Sequence, residues 1–499
     1  MGTETTTQVA GIGAGDGAGA GGAGTQAGEA GYRVERDSLG EVRVPQDALY
    51  GAQTQRAIIN FPITGLRPHP SLVRATVLVK RAAAEVNRDL GELDPRLADA
   101  IIAAADRVLA GEYMDQFVVD PIQAGAGTSH NMNVNEVLAN LANEMLGGRR
   151  GDYKPIHPND HVNMAQSTND VFPTAMRIAT LMELEKLYPA LDRLHKAFAD
   201  KGREFDHIVK SGRTHLQDAV PVRLGQEFTA YAITLSKMKQ KIQHAAQSLL
   251  ELNIGATAAG TGLNSDPRYQ KAVVAKLAEL TGFPLQPAAH LPEATQSQSA
   301  MAETHGALKL LAIELTRIAN DLRLMSSGPQ TGLAEIVLPP VQPGSSIMPG
   351  KVNPVMAEML NMACFQVMGN DTTMMLAVQA GQLELNVMMP VMAFDMLMSV
   401  DILANAMRVF SEYCVEGIRA NEERCRYYVE NSNGLATALN RYIGYSQAAK
   451  VAQEQVRTGK PIRQIVLEWG LLTEEELDRI LDPVAMTEPG VPGKTRTQG

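Results

Sequence analysis

Nine apolar residues between Arg223 and Leu252 limit what this chain can fold into. Leu224, Phe228, Tyr231, Leu235, Met238, Ile242, Ala245, Leu249 and Leu252 recur at spacings of four, three, four, three without a break. That period predicts a helix of about 30 residues, about 45 Å long, packed nearly parallel or antiparallel to others in a left-handed bundle. Leu308, Leu311, Leu315, Ile318, Leu322 and Met325 trace a second seam. A third stretch, Asn386 to Gly417, is apolar almost all round, with Val391, Met392, Phe394, Met396, Leu397, Val400, Ile402, Leu403 and Met407. A helix without a polar face must be buried on every side. One chain is not expected to manage that, so subunits are expected to pack their long helices together.

Composition agrees with helices. Apolar residues make up 45% of the chain but aromatics only 5%, so its core is built from Ala, Leu, Val, Ile and 24 Met, a mix that favours helices over sheets. A net charge of −10 argues against a nucleic-acid surface. Cys364, Cys414 and Cys425 form no CxxC pair and read as buried structural thiols of a reducing compartment. No signal peptide is visible, and the most apolar run, 387–398, is interrupted by Pro390 and Asp395, so no membrane span is expected. The default is a cytoplasmic enzyme.

At 499 residues the chain calls for two or three domains. Residues 1–31, rich in Gly and Ala, read as a disordered tail; 32–167 as an N-terminal domain of short helices with polar loops; 168–422 as the long-helix bundle; and 423–499 as a small helical domain with a flexible Pro/Gly end. In that last domain Thr473 and Glu476 are placed to form a capping box.

Four polar segments are wedged between the apolar helices: Gly125–Asn133 (GAGTSHNMN), Asn163–Asp170 (NMAQSTND), Gly212–Asp218 (GRTHLQD) and Gly344–Pro354 (GSSIMPGKVNP). Any one alone is explained by helix capping, and Asn353 before Pro354 fits an N-cap followed by the first helical residue. Together they concentrate hydroxyls, amides, His and Lys. In the fourth, Gly344 and Gly350 give the backbone freedom, Lys351 adds a positive charge, and a helix begins just beyond. That combination predicts an anion site, for carboxylate or phosphate, under a mobile lid.

The string GSSIMPGKVNP resembles the most specific motif of the aspartase/fumarase superfamily, and the other three segments resemble its remaining signature blocks, in order. The likeness runs from about Tyr32 to about Pro483. It implies an all-α, three-domain fold with a central long-helix bundle, a homotetramer, and active sites shared between three subunits. It also implies the chemistry: a proton leaves the carbon beside a carboxylate, then the group on the adjacent carbon is expelled. The intermediate is an aci-carboxylate dianion, so catalysis must be mostly electrostatic.

By the same resemblance Ser345 is the general base, acting as an alkoxide. Thr128, Ser167, Thr168 and Ser346 surround the carboxylate that becomes the dianion. Thr214, Lys351 and Asn353 hold the other carboxylate. Asn169 and His215 face the leaving amino group, with Glu358 fixing the His215 tautomer. A lysine at about 4 Å in an effective dielectric of about 20 stabilises an alkoxide by about 4 kcal/mol, roughly three pKa units. Loop N–H groups and exclusion of water must supply the rest. No cofactor is required, and no metal-ligand spacing is present; activation by a divalent cation such as Mg2+ is compatible with the family.

The blocks at 125–129, 166–170 and 216–221, with Gly332–Pro339, resemble the branch that deaminates aspartate; His157–Asp160 resembles a secondary anion-binding segment better known in class II fumarases. The substrate is therefore expected to be a small dicarboxylate or amino acid, L-aspartate ahead of malate. Gln330 stands where relatives have Arg and Met389 where they have Glu, and both read as packing changes. A helical scaffold without chemistry would be suggested by loss of Ser345 or Lys351, and both are present.

Overall fold

The structure is a computed structural model describing residues 31–494. The Gly/Ala-rich run expected to be a disordered tail lies, but for Gly31, outside the described residues. The N-terminal region opens with a hairpin of β1 (Tyr32–Asp37) and β2 (Gly40–Pro45), followed by α1 (Ala52–Asn60), α2 (Pro70–Leu90), α3 (Pro95–Leu109) and α4 (Thr128–Met145). At 21 residues α2 is longer than expected here, and its two faces serve two cores: Val73 and Val77 pack with α3 and α4, Leu72 and Val79 with the bundle. Nearly all of α4 is buried although it carries five Asn. Two of its buried amides hold loops: Asn140 donates to the Leu49 carbonyl (2.7 Å), and Asn143 brackets Ile156 through both its N–H and its C=O (2.8 Å each). Buried Glu136 accepts from the N–H groups of Gly51, Gln53 and Thr54. Polar residues thus dock the loops onto α4, in keeping with the rule that buried polar groups are paired.

The bundle contains α5 (Thr168–Glu204), the hairpin β3 (Val209–Thr214) and β4 (Gln217–Arg223), α6 (Leu224–Ala245), the short β5 (Glu251–Leu252), α7 (Tyr269–Thr281), β6 (Gln286–Pro287), α8 (Leu291–Gln296), α9 (Ser299–Met325), β7 (Ile336–Val337), α10 (Val355–Gln379), α11 (Met389–Tyr413) and β8 (Arg419–Ala420). Every residue of the first seam is buried, and so is every residue of the second. The first helix is shorter than its seam: α6 has 22 residues and passes into a 3-10 turn, Ala246–Leu250, that keeps Leu249 on the buried face.

Side-chain pairs fix the directions. Glu183 lies beside Asp401, and Arg193 reaches Glu412 (3.2 Å) and Glu416 (2.8 Å), so α5 and α11 run parallel. His305 meets Asp371 (3.0 Å) and Asn361 meets Asn320 (2.8 Å), so α9 and α10 are antiparallel. The five long helices run up, down, up, down, up.

The expectation for α11 needs correcting. It is long and apolar enough to cross a membrane by composition, yet within one chain it is packed against α5 and α10, with Met392, Met396, Val400, Leu403 and Met407 fully enclosed. The uncovered face belongs to α10, where Met362 is 64% exposed, Phe365 56% and Leu376 51%. With Gly369 and Thr372, also exposed, these residues step by three, four, three, four: a heptad seam with no partner in its own chain.

The C-terminal domain packs α12 (Glu422–Asn431), α13 (Ala436–Ile443), α14 (Tyr445–Thr458), α15 (Ile462–Glu468) and α16 (Glu474–Ile480) around a third core. The Thr473–Glu476 capping box is formed. The expected flexible end is instead tied down as far as Pro492: Arg223 donates to Thr487 (2.7 Å), and the Tyr442 hydroxyl donates to the Pro492 carbonyl. All three cysteines are free and buried, and burial pushes each thiol up to about 12.

Candidate active site

Two of the four polar segments meet. The first ends at the start of α4 and the second at the start of α5, and the Thr128 hydroxyl lies 3.1 Å from that of Thr168. Gly127 permits this approach: its φ is +96°, and a Cβ there would lie 2.2 Å from the Phe172 ring. Ser167 does act as a helix cap, accepting from the Asn169 N–H (3.2 Å) while Asp170 returns the contact to the Ser167 N–H (2.9 Å). Two helix N-termini with free N–H groups and two hydroxyls therefore converge on one place. Each terminus carries roughly half a positive charge, so a concentrated negative charge is stabilised there.

Behind the hydroxyls lies a buried network that the sequence did not reveal. Lys80, fully buried on α2, donates to Asn163 and Gln166 (2.8 Å each). Asn163 also accepts from Asn131 and Asn135 (3.2 Å each), and Asn131 donates to Thr168 (3.3 Å). Burial holds the Lys80 ammonium down at about 7, against the pull of nearby Asp170. Burial likewise lifts the Asp170 carboxyl to about 6 and drops the His130 ring to about 4. His130 is thus a neutral packing group; its Nε2 pairs with the Thr76 hydroxyl at 2.9 Å.

The other two segments are elsewhere. Thr214 and His215 occupy the tip of the β3–β4 hairpin, where His215 and Leu216 have φ of +55° and +58°, and the tip is exposed. Arg213, just before the tip, ties the hairpin to buried Glu335 (2.7 Å). From β7 the chain enters the exposed Ser345 loop. Gly344 is required there because a Cβ would lie 1.8 Å from the Lys351 carbonyl. Asn353 does not cap α10, whose N-cap is Pro354; its amide donates to the Gly344 carbonyl (2.6 Å) and closes the loop at its base. Inside the loop the Ser345 oxygen accepts from the N–H groups of Ile347 (3.2 Å) and Met348 (2.9 Å). Hydrogen bonds donated to an oxygen favour its anionic form. Ser346 and Lys351 are exposed, and the Lys351 ammonium has no partner among the described residues.

Helix directions separate the two pairs. Thr128, Ser167, Thr168 and Asn169 lie at the N-terminal end of α5, whereas the hairpin follows its C-terminal end, and the Ser345 loop leads into α10 at that same end. With 37 residues, α5 is about 55 Å long. Among the described residues no hydrogen bond links one pair to the other, and Glu358, in the first turn of α10, is not bonded to His215. One chain therefore does not assemble the four segments into a site.

Three further places bear on function. His69, Glu183 and Asp401 bring ligand atoms within 4.8 Å of one another, a grouping invisible in sequence spacing. The His69 Nδ1 accepts from the Ser71 N–H (3.2 Å), so its proton sits on Nε2, which donates to Asp401 (2.8 Å). His157 caps a π turn, Pro158–Val162, and with Pro158 and Asn159 lines a recess of about 460 Å³ shared with Arg36 and Arg56. Met389 is fully buried at the start of α11, as a packing change would be, but Gln330 is exposed on a surface bend.

Comparison with known proteins places this geometry in context. A family model described as Lyase matches residues 40–369, and one described as Fumarase C C-terminus matches residues 435–488. The chain is 54% identical over 467 residues to the aspartate ammonia-lyase of Bacillus subtilis, covering 94% of this chain and 98% of that one. Against the aspartate ammonia-lyase of Escherichia coli it is 52% identical over 468 residues, covering 93% and 98%. Among solved structures, fumarate lyase:delta crystallin from Brucella melitensis bound to cobalt superimposes with a TM-score of 0.90 at 48% identity, covering 92% of this chain and all of that one. A class II fumarase from Schistosoma mansoni gives 0.89 at 38% identity, covering 92% and 99%.

Proposed function

This chain belongs to the aspartase/fumarase superfamily, and from that premise we propose a composite active site in which Ser345 takes a proton and the paired helix starts hold the charge that results. The reaction is the reversible elimination of ammonia from L-aspartate to give fumarate, the work of a carbon–nitrogen lyase. In this reading the Ser345 oxygen removes a proton from the methylene carbon. The electron pair passes into the adjoining carboxylate, making it a dianion, and returns to form the double bond as the carbon–nitrogen bond breaks. The nitrogen leaves with that bond's electrons as ammonia.

The observation that carries the proposal is the meeting of Thr128 and Thr168 at 3.1 Å on two helix N-termini. Ser167 and Ser346 complete that cradle; Thr214, Lys351 and Asn353 take the second carboxylate; Asn169 and His215 face the amino group, His215 steadied by Glu358. The division of these residues between opposite ends of a bundle about 55 Å long supports a site shared by several subunits, and the unpartnered seam on α10 supports a homotetramer in which those helices meet. The reading needs no cofactor and leaves a divalent cation such as Mg2+ the part of an activator. The three free, buried thiols favour a cytoplasmic setting.

Fumarate formation from L-aspartate, followed by ultraviolet absorbance beside the same assay with malate, tests the substrate assignment; turnover of malate without aspartate would reverse it. The Ser345→Ala variant is expected to lose about a hundredfold to ten-thousandfold in kcat, the scale of losing a catalytic base, while its oligomer persists. Full rate in that variant would remove Ser345 from the mechanism.

A further inference from the structure

The loop after β5 lies across the start of α5 and holds it more tightly than a helix start needs. Asp170 accepts from the Gly255 N–H (3.0 Å) and the Thr257 N–H (2.9 Å) through one carboxylate oxygen while the other caps Ser167. Thr257 holds a φ of +55°, a strained setting for a β-branched residue that survives only where its surroundings impose it.

A second tie has a cause in the sequence. In an α-helix the Asn169 carbonyl would accept from the N–H four residues on, but residue 173 is proline and has none. The fully buried Asn253 supplies the missing donor: its amide reaches the Asn169 carbonyl (3.2 Å) and the Thr295 hydroxyl (3.2 Å), and its oxygen accepts from Thr174 (3.3 Å). The third tie is to the Asn169 side chain, whose amide nitrogen donates to the Ala258 carbonyl at 2.7 Å.

The chemistry of this last contact is unambiguous. A carbonyl oxygen only accepts, so the amide nitrogen of Asn169 must face it and the amide oxygen must face the other way. That oxygen has no partner among the described residues. It is an acceptor held in a fixed direction, suited to an ammonium with three N–H donors.

We propose that Asn253 and the 255–258 loop are positioning elements that lock the Asn169 carboxamide with its oxygen toward the reacting amino group. This rests on the reading that Asn169 faces that group. Asn253 bonds to Asn169, Thr174 and Thr295 and to neither Thr128 nor Thr168, so its loss should move recognition of nitrogen and not of the carboxylate, which separates it from a merely structural role.

The test is the reverse reaction of the intact oligomer, with KM measured separately for ammonia and for fumarate. Asn253→Ala is expected to raise the KM for ammonia at least tenfold and to leave that for fumarate within twofold; an unchanged ammonia KM, or equal changes in both, overturns the proposal. Asn169→Ala serves as the reference. If it raises the ammonia KM and Asn253→Ala does not, the clamp alone is wrong; if neither does, the placement of Asn169 is wrong as well. Should Asn253→Ala fail to fold, Asn253→Asp carries the test, because it keeps the size of the side chain and an oxygen for Thr174 but removes the amide donor to the Asn169 carbonyl. It is expected to raise the ammonia KM severalfold with fumarate unaffected, and no change in that folded variant overturns the proposal.

Discussion

A lysine with no exposed atom must be paired or neutral, and Lys80 faces two amide oxygens rather than a carboxylate. A neutral amine has two N–H groups, and both acceptors are met. Burial sets its folded pKa at about 7 against an ordinary 10.5. Between those values the folded chain binds fewer protons here than the unfolded chain, so unfolding free energy rises with pH across that window. Lys80→Met is expected to flatten the rise: the thermal midpoint of the parent should climb between pH 7 and pH 9 relative to the variant, read by circular dichroism in parallel melts. Parallel curves would show that Lys80 stays charged. At this scale the sequence displayed residue types but not their partners. Ser345, Thr128 and Thr168 were recognisable by motif, whereas Lys80 and Asn253 were not, because each works through residues scores of positions away; Asp170 closes the second motif, but its loop partners Gly255 and Thr257 are 85 and 87 positions off. Even within a motif the partner was hidden: Asn353 reads as a helix cap but closes its own loop.

Elements were more legible, since a seam is a statement about one helix. Every position of the α6 and α9 seams is buried, and only the end of α6 differs, where a 3-10 turn continues the buried face. Deciding which apolar helix lacks a cover was beyond the sequence, because α10 and α11 are both apolar nearly all round and only their neighbours distinguish them. The hairpins β1–β2 and β3–β4 escaped notice too; their short polar strands show no helical period to interrupt. The uncovered seam makes an expectation for α10. Phe365→Glu changes an exposed residue, so within one chain it should cost no more than about 0.5 kcal/mol, leaving the helical circular dichroism intact. Placed between subunits it buries a charge, and assembly should fail. Light scattering after size exclusion should then show a smaller particle without turnover. An undiminished oligomer would mean that subunits meet elsewhere. Leu360→Glu, on the buried face of the same helix, should instead prevent folding.

For the molecule as a whole, the five alternating helices act as a spacer. They carry the hydroxyl pair at one end and the serine loop at the other, so in the composite site proposed above each chain would donate parts to more than one site. This makes inactive variants complementary. Ser345→Ala removes the loop's base and Thr168→Val removes the cradle's hydroxyl, and each alone should be nearly inactive. If loop and cradle of a working site come from different chains, a one-to-one mixture refolded together places both intact parts in about a quarter of the sites, because each is drawn independently from a random closed oligomer. Activity should therefore return to about a quarter of the parent's, and mixing already assembled oligomers should restore none until subunits exchange. If every site drew both parts from one chain, no mixture would recover, since each chain would carry its own defect into its own site. The ratio of recovered to parental rate thus reports directly how the copies share the chemistry, with no need to see them assembled.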